Sequence, residues 1–140
     1  MPTRRASATW NGKLQGGNGK FAGESGAVSA SYSFGSRFGD GGGSNPEELL
    51  AAADAACYSM ARAAALGQAG HTPERVRTDA ACTIEKEGEG FAIKKLELTV
   101  SASVAGIDEG AFQRLAEQTK RECPVSKALS VLIELEAALE

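Results

Sequence analysis

Apolar and polar residues alternate through much of the second half of the chain. Val76, Thr78, Ala80, Cys82 and Ile84 alternate with Arg75, Arg77, Asp79, Ala81 and Thr83. This two-residue period predicts a strand with one buried face. Lys86-Glu87-Gly88-Glu89-Gly90 reads as a hairpin connection, and Leu96, Leu98, Val100, Ala102 and Val104 continue the alternation on a long second strand. Ile107-Asp108 then opens a helix running to about Glu122. Beyond it Leu129, Val131, Ile133, Leu135, Ala137 and Leu139 alternate again. That pattern predicts a last strand, although Ala, Leu and Glu also form helices well.

The first 44 residues are rich in Gly and Ser. Short strand-like stretches at 6–12, 20–24 and 27–32 are followed by FGSRFGDGGGS, a turn-rich run that predicts a mobile loop. Asn45-Pro46-Glu47-Glu48 carries the signals of a helix start: Asn45 as cap, Pro46 in the first helical position, and Glu48 reaching back as in a capping box. The alanine-rich helix should continue to about Ala69 and stop at Gly70, a residue that tolerates a left-handed C-terminal position. With no internal repeats and no long linker, the reading is an α+β class in one domain over 1–140, with antiparallel strands and two helices.

Composition narrows the function. A net charge of −3 gives no basic field for nucleic acid, and Arg4 and Arg5 are too few to form a polybasic arm. No apolar run approaches the roughly 20 residues that span a bilayer, and MPTRRASATWNG lacks the apolar segment of a secretory signal. A cytoplasmic protein without a membrane role is expected. In that reducing setting three cysteines predict transient, catalytic or sensing disulfide chemistry rather than a structural framework. One His and three dispersed Cys lack zinc-ligand spacing, so no metal is expected. GDGGGSNPEELL resembles a phosphate-binding loop feeding a helix. Pro46 removes a donor there, however, and Glu47 and Glu48 place negative charge where the anion would sit.

Candidate chemistry centres on two cysteines in unlike settings. Cys57 lies in AAADAACYSMARAAAL, more than three turns into the long helix and too far from its start for the helix dipole to favour a thiolate. It reads either as a small core residue among alanines or as a nucleophile that needs another cation. Arg37 is the one basic residue between Lys20 and Arg62. It reads either as an exposed loop arginine or as the group that stabilises a thiolate and a bound peroxide or similar anion. Glu47 stands about 15 Å from Cys57 along the helix axis, beyond direct contact. It therefore complements the helix dipole, acts through Arg37, or serves the Cys57 of a second subunit. Cys123 precedes Pro124, which should end the second helix and begin a short new one with Cys123 at its cap, on a bend and not locked in a core. Cys82 shares the apolar strand face and reads as core.

With these residues in view, the chain resembles the OsmC/Ohr family of thiol-dependent peroxidases, in its osmotically inducible protein C branch. The likeness rests on ATWNGKL, FGSRFGD, SNPEELLAAADAACYSMA, LGQAGHTPERV, GFAI and ECPVSKAL. It implies antiparallel sheet strands around a long central helix plus a second helix, in an intertwined homodimer with active sites at the subunit interface. It also implies reduction of organic hydroperoxides, and more weakly of hydrogen peroxide, without a cofactor. Residue by residue, Cys57 corresponds to the peroxidatic cysteine, Cys123 to the resolving cysteine, Arg37 to the activating arginine and Glu47 to the acid that positions it. Asp54 stands where members of this branch commonly carry His. A carboxylate one turn before Cys57 would oppose a thiolate, so Asp54 is expected to face solvent or pair with a cation.

The implied cycle is attack of the Cys57 thiolate on the peroxide, a sulfenic acid on Cys57, a Cys57–Cys123 disulfide, and reduction by an external dithiol such as a lipoyl-bearing protein. Phe38, Tyr58 and Met60 are candidates to hold an organic tail, or are ordinary core packing. Two other readings stand beside this one: a redox sensor using the same thiols, and a non-catalytic dimeric module binding an apolar ligand.

Overall fold

The computed structural model describes residues 1–140. Two compact units, Met1–Glu48 and Leu49–Glu140, divide the chain.

In the first unit, β1 (Ala6–Asn11), β2 (Asn18–Gly23) and β3 (Ser29–Tyr32) form an antiparallel meander. Tyr32 sits opposite Gly19, where a Cβ would lie 2.6 Å from the tyrosine ring. The missing side chain makes room for Tyr32 to pack between Trp10 and Phe21, at ring separations of 5.4 and 5.6 Å.

The run expected to be a mobile loop contains a short helix, α1 (Phe34–Phe38). Its cause is a reciprocal capping box, a weaker serine version of the usual Ser/Thr-x-x-Glu signal: Ser36 N–H donates to Ser33 Oγ at 3.1 Å, and Ser33 N–H donates to Ser36 Oγ at 2.8 Å. The glycines after it fold back closely. Asn45 caps the next helix as expected, its Oδ1 accepting from Glu48 N–H at 2.8 Å. Its Nδ2 donates to Ser36 O at 2.9 Å, tying that helix start to α1. Glu48 does not reach back to the cap backbone; its carboxylate accepts from the Ser44 hydroxyl at 2.7 Å.

The long helix, α2 (Pro46–Gln68), has its first turn in the first unit and the rest in the second. It stops where expected, with Gly70 at φ +90 and His71 N–H donating to Leu66 O at 2.8 Å. A hairpin of β4 (Pro73–Glu87) and β5 (Gly90–Val104) follows. Helix α3 (Glu109–Glu122), capped by Asp108, and α4 (Pro124–Ala128) lead to β6 (Leu132–Leu139). The sheet order is β4-β5-β6, with β4 antiparallel to β5 as expected. β6 runs parallel to β5, which the antiparallel expectation did not include. The α3–α4 crossover is the kind of connection that returns a chain parallel to its earlier strand.

Leu96, Leu98, Val100 and Ala102 of β5 form the floor of the core, under Tyr58 and Leu66 of α2 and Phe112 and Ala116 of α3. Each large apolar side chain buried there contributes about 1.5–3 kcal/mol.

Helix α2 reverses the usual amphipathic pattern. Its fully buried positions in this unit are Asp54, Tyr58, Arg62 and Leu66, one turn apart, whereas Leu49, Ala52, Ala53, Ala56, Met60 and Ala64 are exposed. Arg62 donates from Nη2 to Phe112 O at 2.8 Å and lies 4.3 Å over the Phe112 ring, with Nε and Nη1 unpartnered. By length and composition alone α2 could cross a membrane, contrary to the sequence expectation. Its alanines produce that result, while its middle buries an aspartate and an arginine.

Candidate active site

Arg37 is placed by α1 rather than by a loop. Its guanidinium meets the Glu47 carboxylate through Nη2 to Oε1 at 2.8 Å and Nε to Oε1 and Oε2 at 3.1 and 3.2 Å. Glu47 is almost fully buried and Arg37 about one-third exposed. The pairing fixes the guanidinium plane while leaving Nη1 out of the ion pair. The same guanidinium stands 5.3 Å from the centre of the Phe38 ring, and Phe38 packs on Phe34 at 4.9 Å. Trp10, Leu14, Tyr32, Phe34, Arg37 and Phe38 line a cavity of about 440 Å³. It is apolar and aromatic with one cation on its wall, suited to an apolar molecule carrying a polar or anionic end.

The thiols occupy the second unit. None of the three cysteines is in a disulfide. Cys57, half-buried on α2, packs against the core cluster that contains Cys123, and the two thiols adjoin. Cys123 does cap α4 as expected, with Pro124 in the first helical turn. It is not a loosely held thiol on a bend, however. It is fully buried, because the close of α3 turns the cap inward among Tyr58, Leu98 and Val100. Burial pushes the Cys123 thiol up from its ordinary value; the Ser126 backbone N–H and hydroxyl oppose that, and neighbouring Cys57 adds to it.

Asp54 overturns its expectation. It neither faces solvent nor pairs with a cation, but is fully buried. Its Oδ1 accepts from Ser126 Oγ at 2.7 Å and from Cys123 Sγ at 3.6 Å, while Oδ2 has no partner. The physical reason is the reversed face of α2: Asp54 is one turn from both Cys57 and Tyr58, and the α4 cap supplies two donors where a cation was expected. Ser126 was missed in the sequence. Its signal was its spacing, three residues after the cap in CPVS, the position whose backbone and side chain serve a capping residue.

Other candidates sort out plainly. Phe38 lines the aromatic cavity. Tyr58 is core, its hydroxyl donating to Ala116 O at 2.9 Å, and Met60 is exposed. Cys82 is half-buried on β4 beside the core-facing Ala80. Trp10, Tyr32 and Phe34 were missed as cavity wall, because strand periodicity does not say which aromatic residues converge. No group of three or more His, Cys, Asp or Glu side chains forms a metal cluster.

Comparison with known proteins gives a consistent set of relatives. The family model described as OsmC-like protein matches residues 39–136. The chain is 40% identical over 138 residues to Peroxiredoxin OsmC of Escherichia coli (strain K12), covering 98% of this chain and 96% of that protein. It is 36% identical over 89 residues to the Organic hydroperoxide resistance protein of Xanthomonas axonopodis pv. citri (strain 306), covering 63% of this chain and 61% of that one. The crystal structure of an organic hydroperoxide resistance protein from Elizabethkingia anophelis matches with a TM-score of 0.74 and 26% identity, over 100% of this chain and 96% of that one.

Proposed function

The chain belongs to the OsmC-like protein family, and from that premise we propose that it is a thiol peroxidase that reduces organic hydroperoxides, and more weakly hydrogen peroxide, to alcohols or water. The observation that carries the reading is the adjacency of Cys57, partly open, to Cys123, fully buried. One thiol is reachable by substrate, and the other is held where only the first can be its target.

The Cys57 thiolate attacks the distal oxygen of ROOH. The O–O bond breaks, ROH leaves after protonation, and Cys57 becomes a sulfenic acid. Cys123 Sγ then displaces the sulfenic hydroxyl as water, forming the Cys57–Cys123 disulfide, and an external dithiol, as on a lipoyl-bearing protein, restores both thiols. Arg37, oriented by Glu47, supplies the cation that favours the thiolate and the peroxide oxygens, and the aromatic cavity beside it holds the organic tail. In this reading residues 1–140 are one OsmC-like domain of a cytoplasmic homodimer. The exposed face of α2, lined by Leu49, Met60 and small alanines, supports close helix pairing between subunits. Glu47 and Arg37 then serve Cys57 of the same or the partner subunit.

The test is consumption of tert-butyl hydroperoxide with dihydrolipoamide. Cys57→Ser should abolish it, and retained consumption would sink the reading in favour of a non-catalytic binding module. Cys123→Ser should leave Cys57 as a sulfenic acid that a 1,3-dicarbonyl reagent traps. A Cys57–Cys82 bond in the oxidised wild type would overturn the assignment of roles.

A further inference from the structure

A buried thiol must lose its proton before it can attack, and Cys123 is shielded from solvent. Few groups stand near enough to take that proton. Tyr58 and Arg62 of α2 are committed to the carbonyls of Ala116 and Phe112. Glu117 of α3 acts on Tyr58, and Ser126 Oγ directs its own proton at Asp54. Cys57 is the partner that Cys123 must attack. The remaining acceptor is Asp54 Oδ1, 3.6 Å from Cys123 Sγ.

Packing does not account for an aspartate here. The residues beside it in the sequence are alanines, and a buried carboxylate without a counter-cation costs several kcal/mol. Two donors converge on Oδ1, which is how an acceptor is held in place, and one of them is the Cys123 thiol itself; Oδ2 has no partner that would hold the carboxylate in another direction. Asp54 and Cys57 are three residues apart on α2, so the base and the electrophilic sulfur share one face of the helix.

We propose that Asp54 is a catalytic residue of the resolving step, the base that takes the Cys123 thiol proton as the disulfide forms. The inference rests on the reading of Cys57 and Cys123 given above. Cys123 Sγ bonds to Cys57 Sγ while the Cys57 S–O bond breaks; Cys57 sulfur is reduced and Cys123 sulfur oxidised. The proton passes from Cys123 to the Asp54 carboxylate and from there to the departing hydroxide, so one water leaves and Asp54 is restored. Ser126 holds the carboxylate toward the thiol and acts as a positioning residue.

The experiment oxidises reduced protein with one equivalent of tert-butyl hydroperoxide and follows two events by quenching, 1,3-dicarbonyl trapping and mass spectrometry: oxidation of Cys57 and closure of the disulfide. In Asp54→Asn the second event should slow on the order of a hundredfold, the usual effect of losing a general base, when its rate is measured from the oxidised Cys57 and so apart from the rate of the first. Closure in the variant should also gain about tenfold per pH unit, as hydroxide must make the thiolate, while wild-type closure stays nearly level between about pH 6 and 8. Closure at the wild-type rate in the variant overturns the proposal. Slow closure with the wild-type pH profile also overturns it, since that outcome marks displacement of Cys123 alone. Should the variant fail to fold, the wild type decides: closure that itself rises about tenfold per pH unit is unassisted and overturns the proposal. Wild-type Cys57 that is not oxidised at all sinks the peroxidase reading, an outcome distinct from these.

Discussion

Tyr58 shows what a single buried residue contributes to the molecule around the thiols. Burial pushes its hydroxyl from 10.0 up to about 12, with Arg62 opposing and Glu117 and Cys123 adding to the rise. Because the folded value exceeds the unfolded one, folded protein holds this proton longer. The contribution to stability is complete below about pH 10 and is lost as pH climbs toward 12. Cys123 is raised in the same sense, so the decline begins nearer the ordinary thiol range. Urea unfolding should show a midpoint nearly constant to about pH 8 and falling above it, with a loss on the order of 2 kcal/mol from Tyr58 by pH 12. Tyr58→Phe should cost about 1 kcal/mol at neutral pH, by removing the hydrogen bond to the Ala116 carbonyl, and should remove the most alkaline part of the decline. An unchanged pH profile in that variant would mean that the tyrosine hydroxyl does not drive it.

At the scale of elements, the caps and strands were legible because they obey local rules. Asn45-Pro46, Gly70, Asp108 and Cys123-Pro124 carry their signals within four residues, and β4 and β5 carry theirs in a two-residue period. The orientation of α2 was not legible. An alanine helix has no strongly apolar stripe to mark its buried face, and the expectation for Asp54 rested on its opposition to a Cys57 thiolate, which says nothing of the face that α2 buries. Direction in the sheet escaped too, since β6 has the same alternation whether parallel or antiparallel.

Helix α1 was hidden by the glycines around it, one of which, Gly41, packs against its first turn. A Cβ on Gly41 would lie 2.8 Å from Gly35 C and 3.0 Å from Ser36 N, backbone that cannot yield without moving α1. Gly41→Ala should therefore shift Arg37 and slow oxidation of Cys57 by hydroperoxide about tenfold or more, while costing about 1–3 kcal/mol of stability. Single-turnover rates beside a thermal melt check this. A normal rate in a destabilised variant would show that the placement of α1 does not matter to the peroxide step.

For the whole molecule, if the Arg37–Glu47 pair activates Cys57 as proposed, it does so either within one chain or across a dimer. Helix arithmetic puts Glu47 about 15 Å from Cys57 of its own chain along the axis, while the exposed small-residue face of α2 invites a second helix. Two antiparallel copies would bring the start of one helix to the middle of the other. The pairing can be tested by co-expressing Cys57→Ser and Glu47→Ala chains in equal amounts. About half of the dimers should then be mixed. If Glu47 acts in trans, each mixed dimer holds one complete site, made of Cys57 from the Glu47→Ala chain and Glu47 from the Cys57→Ser chain. Activity should then return to about one quarter of wild type. If Glu47 acts in cis, every Cys57 in the mixture belongs to a chain without Glu47, and activity stays at the level of the Glu47→Ala protein diluted by half. Sedimentation of the same mixture confirms that the chains are paired, so an absence of recovery counts against action in trans and not against the dimer.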